Sequence, residues 1–440
     1  MTSNLPGSPG GPQQYPGPMP GASPNPTWIG RVQPGNYQTA PGNPGPLPQQ
    51  SWANPARAQP RQTWGLIPLL LVGAVLVFGS LILVIPFLLG NTGVTGFAIG
   101  FVASLVPLSV VLLTVRFIDR WEPEPKRLLW FAFTWGAAVS IAATLLIQPV
   151  FALAAPTTSE EAFTYFMATV QAPIVEEFSK SLGLLVLILA ARKYFDGPVD
   201  GVVFAFTIAA GFAFTENILY FGREIASSSE PGADLVRIFI LRGVMSPFAH
   251  AIFTGTTGLI MGFAARKWHT GYAVLAFLVG LLPAMFLHNR WNSMGQDFLA
   301  EYFVVQVPIF LVAAVGIILL RLAEGKLTRQ RLQEYAAAGW FTPVEVEMLS
   351  TARGRRQATG WAASRGRSAH MRAFIKAATA LAFTRQRILS GRDVQLHQRD
   401  ELEQLRTIPQ LRAAVLGQAC KRARFPARTV RENGPFTAGG

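Results

Sequence analysis

Between residues 65 and 320 the sequence is a succession of apolar runs, each long enough to cross a bilayer, which takes about 20 residues. They fall at roughly 65–89, 93–115, 129–155, 168–191, 199–222, 237–265, 270–289 and 301–320. This pattern predicts an all-α membrane protein of about eight transmembrane helices, with 159–167 as an interfacial segment. Trp64, Trp130, Trp268 and Trp291 stand at the ends of these runs, where indole rings prefer to sit.

The flanks differ in kind. Residues 1–63 hold 15 of the 32 prolines and no acidic residue, without helical or strand periodicity, and are expected to be a disordered Pro/Gly-rich tail. Residues 64–320 form the polytopic part. Residues 321–440 carry 22 Lys/Arg against 9 Asp/Glu and read as a basic helical region, with short helices at 326–350, 368–390 and 393–417. The net charge of +14 sits almost entirely in the flanks. Lys and Arg gather in alternate loops, at Arg116 to Arg127, Arg192 with Lys193, and Arg266 with Lys267. That alternation fits eight spans in the cell membrane with both termini in the cytoplasm. The basic tail is expected to lie on anionic lipid. No motif supports nucleic acid as a partner, and the single Cys420 excludes an internal disulfide.

Charged side chains inside a span cost at least about 2.5 kcal/mol each and need a partner or a purpose. Glu176 and Glu177 precede Lys180 by four and three residues, within reach on one helix. Phe212 and Glu216 share a face of the fifth run beside Asn217. His250 lies in the sixth run, and His288 stands one turn before Asn292 at the end of the seventh. Counted from the cytoplasmic end of each run, Glu176, Glu216, His250 and His288 all lie about 22–27 Å deep, at 1.5 Å per residue. Four helices presenting such groups at one height predict a convergent site.

Several chemistries are excluded by pattern. There is no His-Glu-x-x-His pair, no Gly-x-Ser-x-Gly elbow and no aspartate in the middle of a span. Ser179 and Lys180 are neighbours on a helix and point apart, a poor dyad. Glu and His acting on water remain. Glu176 or Glu177 can serve as general base, with His250, His288 and Asn292 holding the water or the oxyanion. Alternatively, Glu216, His250 and His288 are three ligands of a Zn²⁺ with an open fourth position. A proton-coupled transporter would use the same Glu/His/Lys layer, and a scaffold without chemistry is a third reading.

The residues also resemble a known family. Glu176-Glu177-Phe-Ser-Lys180 is similar to the Glu-Glu-x-x-Lys motif of the PrsW intramembrane proteases. Phe212-x-x-x-Glu216-Asn217, His250 and His288-x-x-x-Asn292 resemble the motifs that follow it, in order. The stretches Asp119 to Pro125 and Asp196 to Gly201 are also similar to family features. The resemblance spans roughly residues 95–320. It implies a multi-pass peptidase that cleaves membrane-anchored regulatory proteins such as anti-sigma factors, usually described as a metallopeptidase. A relationship to the CAAX prenyl proteases implies instead a metal-free glutamate mechanism. Carried onto this chain, Glu176 becomes the general base, with Glu177 oriented by Lys180. Glu216, His250, His288 and Asn292 complete the pocket, supported by Phe212 and Asn217.

Overall fold

The computed structural model describes residues 66–417, apart from residues 157, 196, 229, 267–269, 296 and 392–393. The expected tail at 1–63, Trp64, Asp196, Lys267, Trp268 and Cys420 lie outside the described residues. Helices account for all regular structure among the described residues. The principal ones are α1 (Leu66–Ile118), α2 (Lys126–Ala154), α3 (Ala172–Ala190) and α4 (Pro198–Ser227). They are followed by α5 (Ala249–Ala265), α6 (Thr270–Asn292) and α7 (Val307–Ala337).

Six helical stretches among the described residues are long and apolar enough to cross a membrane, against the eight runs expected. Two features account for the difference. The first two runs are joined in α1, 53 residues interrupted only at Gly93, whose φ of 62° is cheap for glycine alone. The helix α3 stands outside the six because Glu176, Glu177 and Lys180 interrupt its apolar character.

The break at Gly93 turns α1 into a hairpin. Before it, Gly73 lies against Phe131, and Val84 and Leu88 cluster with Ile141 and Ala142, so this half runs with α2. After it, Gly96 and Gly100 lie against Gly222 and Ile218, and Val111 and Val115 cluster with Val199 and Val203. That half runs against α4. Arg223 secures the turn by donating to Asn91 Oδ1 at 2.6 Å.

At the centre stands α4, in which every residue from Gly201 to Phe212 is buried. A helix enclosed on all sides needs neighbours that come close, and small residues permit this. A Cβ on Gly258 of α5 would strike the Gly201 backbone, so these two glycines set the α4–α5 crossing. Between α5 and α6, Thr257 Oγ1 donates to the Gly280 carbonyl at 2.8 Å. Trp130 is exposed near the start of α2, as an interfacial indole should be. The expected interfacial segment is a short helix, Glu160–Phe166, capped by Ser159.

Four π-helical segments occur among the described residues: Trp135–Ser140, Met167–Gln171, Ile240–Met245 and Tyr302–Gln306. Such segments concentrate at functional sites. The middle two adjoin the residues described below.

Past Arg321, α7 continues into a helical bundle built with α8 (Pro343–Ser350), α9 (Ala352–Ala363), α10 (Ser368–Leu389) and α11 (Val394–Leu416). The expected helix at 326–350 is two helices, because α7 closes at Gly339 (φ 80°) and Thr342 opens a new one with a capping box to Glu345. Helix α9 was not anticipated; its Arg-rich sequence lacks a clear apolar stripe. Leu332, Leu349, Phe374, Leu381 and Ile408 form the bundle's core. Arg412 closes it with two bonds to the buried Glu345 carboxylate, at 2.7 and 3.1 Å.

Candidate active site

Four helices deliver the predicted side chains to one place. On α3, Pro173 near the N-terminus and the absence of any other helix breaker before Lys180 set Glu176, Glu177 and Lys180 on consecutive turns. Glu177 is fully committed. Its Oε1 lies 2.5 Å from Lys180 Nζ and 3.0 Å from His288 Nδ1, and its Oε2 accepts from Thr254 Oγ1 at 2.8 Å. Lys180 is wholly buried, sits 4.3 Å from the centroid of the Phe212 ring, and lies 3.2 Å from His250 Nδ1. Phe212 thus acts as the floor under the ammonium, a cation–π contact.

Glu216, on α4, shares one oxygen between two partners. Its Oε2 is 2.8 Å from His250 Nε2 and accepts from Arg242 at 2.6 Å. Arg242 also donates through Nε to Asn217 Oδ1 at 2.8 Å and stacks over Tyr220 at 3.9 Å. The two imidazoles meet edge to face, with centroids 5.2 Å apart, and Phe253 stacks on His288 at 5.1 Å. A continuous polar chain therefore runs from Arg242 through Glu216, His250, Lys180 and Glu177 to His288.

Glu176 is the exception. It is buried, and its Oε2 has no hydrogen-bond partner. That oxygen lies 3.7 Å from Lys180 Nζ and 3.8 Å from His288 Nε2. With Glu177 neutralised by Lys180 and Glu216 by Arg242, Glu176 is the carboxylate left over.

Two expectations about roles differ from the geometry. Asn292 donates its amide to the Ala168 carbonyl at 2.7 Å, while Asn289 donates to Thr169 at 2.7 Å. Both pin the π-turn ahead of α3, because the amides at the end of α6 reach across to that turn rather than along their own helix to His288. The metal donors expected were Glu216, His250 and His288. The structure instead gathers ligand atoms of Glu176, His250 and His288 within 4.8 Å of one another. Arg242 explains the exchange, since it holds Glu216 in an ion pair. Ser179 donates its hydroxyl to the Glu176 carbonyl at 3.0 Å, as its neighbouring position to Lys180 implied.

Sequence spacing misses Arg242, Thr254 and Asn289. Arg242 had a signal: an arginine inside the apolar run 237–265, beyond Arg237 at its edge, demands a buried acid. Thr254 is one turn beyond His250 on α5 and could be found from that spacing. Asn289 carries no pattern of its own.

The donor set suits a divalent metal in type: one unpartnered buried carboxylate oxygen and two imidazoles, His288 with Nδ1 held by Glu177, and His250 with Nε2 held by Glu216 and Nδ1 beside Lys180. Carboxylates behind the imidazoles, Glu216 on His250 and Glu177 on His288, match the usual support of metal-bound histidine. The cation these atoms face within the chain is the Lys180 ammonium.

A polytopic helical protein with buried Glu, His and Lys converging inside its apolar body is of the kind that does chemistry within the membrane. Residues 124–317 match the PrsW family of intramembrane metalloproteases. Curated relatives agree. The chain is 28% identical over 224 residues to Protease PrsW of Oceanobacillus iheyensis, covering 50% of this chain and 93% of that one. It is 30% identical over 158 residues to Protease PrsW of Clostridioides difficile, 36% of this chain and 63% of that one. For Protease PrsW of Geobacillus kaustophilus the figures are 29% over 194 residues, 43% and 76%. No solved structure matches. The match to the PrsW family over residues 124–317 and the similarity to these relatives support an intramembrane protease with several membrane-spanning helices.

Proposed function

We propose that the protein hydrolyses a peptide bond in a membrane-anchored substrate, a single-span regulatory protein of the anti-sigma-factor kind, with Glu176 as the base that activates water. The observation that carries this is the unpartnered Oε2 of Glu176 facing His288 Nε2 at 3.8 Å. Two acceptors at that separation suit one shared water. Glu176 takes the water's proton as oxygen attacks the scissile carbonyl, then returns it to the leaving amine. Lys180, 3.7 Å from the same oxygen, supplies positive charge where the oxyanion develops. His288, turned by Glu177 so that Nε2 points at Glu176, orients the water. Should the enzyme use Zn²⁺, Glu176, His250 and His288 would hold it, and it would acidify a bound water and polarise the carbonyl.

The setting is the cell membrane, crossed eight times, with both termini cytoplasmic. The Gly93 break supports counting α1 twice, and α3 adds the eighth crossing. Arg223 and Arg290, the basic residues of the opposite loops, are each engaged within the protein, with Asn91 and with Glu301. Residues 1–63 form a cytoplasmic tail, 64–320 the protease, and 321–440 a cytoplasmic appendage whose basic surface lies on anionic lipid. The transporter reading is set aside, because the relatives are named proteases.

The deciding experiment reconstitutes the protein with a single-span substrate. Cleavage by the wild type and none by Glu176→Gln is expected; equal cleavage by both overturns the assignment.

A further inference from the structure

Arg242 lies on the π-helical turn Ile240–Met245, one element away from every residue of the predicted motifs. We propose that it is the positioning residue that fixes the tautomer of His250. This inference rests on the peptidase reading for its consequence, though not for its geometry.

The argument begins at Lys180. Its ammonium has donors only, and it lies 3.2 Å from His250 Nδ1. Nδ1 must therefore present its lone pair, so the ring proton of the neutral imidazole sits on Nε2. Nε2 in turn lies 2.8 Å from Glu216 Oε2, which has to be an acceptor. Glu216 is held in that state by a guanidinium, a group that does not lose its proton in proteins. The guanidinium is itself fixed at three points: Glu216 at 2.6 Å, Asn217 at 2.8 Å and the Tyr220 ring at 3.9 Å. Lysine could supply the charge but not the planar fork. Arg242 thus acts through Glu216 to turn His250 Nδ1 inward, toward Lys180 and the pocket of Glu176.

The π-turn adds a reason for its placement. A π-helical turn re-aims side chains relative to the α-helix that continues from it. Arg242 is brought to Glu216 by such a turn, and Ser246 just beyond returns its hydroxyl to the Leu241 carbonyl at 2.9 Å.

The test labels histidine with ¹⁵N in the full-length, chelator-treated protein and assigns the His250 resonances from their loss in His250→Asn. The wild type should show a protonated Nε2 and an unprotonated Nδ1. Arg242→Gln should mix the two tautomers and lower kcat about 10–100-fold, the usual loss when such a supporting partner is removed. KM should stay within about twofold. Arg242→Lys should keep the Nε2–H form and recover part of kcat. If Arg242→Gln does not fold, Asn217→Ala and Tyr220→Leu loosen the same guanidinium without removing its charge, and both should broaden the tautomer mixture. An unchanged His250 pattern in every folded variant overturns the proposal. Failure of the wild type to cleave any single-span substrate would instead overturn the peptidase mechanism, with the tautomer measurement still standing.

Discussion

Glu176 and Glu177 are adjacent on α3 and buried alike, yet Glu177 has three hydrogen-bond partners while Glu176 Oε2 has none. Adjacent residues on a helix point about 100° apart, so one carboxylate enters the Lys180–Thr254–His288 cluster and the other faces the pocket. Their substitutions should separate accordingly. Glu176→Gln should abolish cleavage with thermal unfolding in detergent within about 1 kcal/mol of wild type. Glu177→Ala leaves the buried Lys180 without its nearest counter-charge and should cost about 3–5 kcal/mol. Similar unfolding of the two variants would show that the division of labour is wrong.

The donor set for a metal gives a second test. Zinc titrated into the purified protein should bind through Glu176, His250 and His288. Binding followed by calorimetry should weaken by about 10-fold or more in Glu176→Gln or His288→Gln, which remove ligands. Glu216→Gln removes only a carboxylate behind His250 and should weaken binding less than either ligand variant does. The reverse order would make Glu216 the ligand, as in the set expected from the sequence if a metal is used.

Much of this candidate site is legible in the sequence. Charges inside apolar runs are costly, so Glu176, Glu216, His250 and His288 stood out, and a common depth placed them together. Their partners were not legible, because pairing between helices leaves no mark on spacing. His288 and Asn292 are one turn apart, which suggested an interaction along α6; the amide instead crosses to Ala168. The apolar runs located the spans, but the merging of two into α1 depended on a single backbone angle at Gly93. In the bundle, Thr342 and Gly339 divided an expected helix through local capping and a positive φ.

Asn289 and Asn292 form a clip on the π-turn Met167–Gln171, which leads directly into the Glu176 helix. If the clip holds α3 at its working height, Asn289→Ala should lower kcat although Asn289 was absent from the expected catalytic set. Each lost bond to a buried carbonyl costs about 1–3 kcal/mol. Hydrogen exchange should rise first at residues 167–171 in the variant. A drop in activity with unchanged exchange there would assign Asn289 a different role.

The junction between protease and bundle rests on the loop after α1. Trp121 is buried, with the Arg355 guanidinium 3.9 Å from its ring, and Glu122 accepts from Arg387 at 2.8 Å. Arg321 donates to the carbonyls of Phe117 and Ile118. Burial among cations holds the Arg355 guanidinium down to about 9. Trp121→Ala removes the central packing element and should cost about 3–5 kcal/mol of bundle docking. Protease susceptibility between residues 338 and 368 should then rise, while the buried Glu345–Arg412 pair keeps α8 and α11 joined.

Within the same loop, Asp119 makes the junction sensitive to pH. Burial pushes its carboxyl from 3.8 up to about 7, against the Glu124 N–H that it accepts and with help from the nearby Glu122. Between about pH 4 and 7 the docked loop therefore holds a proton that the released loop has lost. Stability falls with rising pH wherever the folded state binds more protons. The contribution from Asp119 is accordingly full below about 4, lost progressively up to about 7, and flat beyond it. Thermal unfolding of the purified protein should show this slope between pH 5 and 7.5, on top of contributions from other groups. Asp119→Asn keeps an acceptor for Glu124 but cannot ionise, so the difference between wild type and variant isolates the effect. The variant should be the more stable of the two at pH 7.5, with the gap closing as pH falls to 5. A gap that stays constant across that range would mean that Asp119 does not change its protonation when the loop docks.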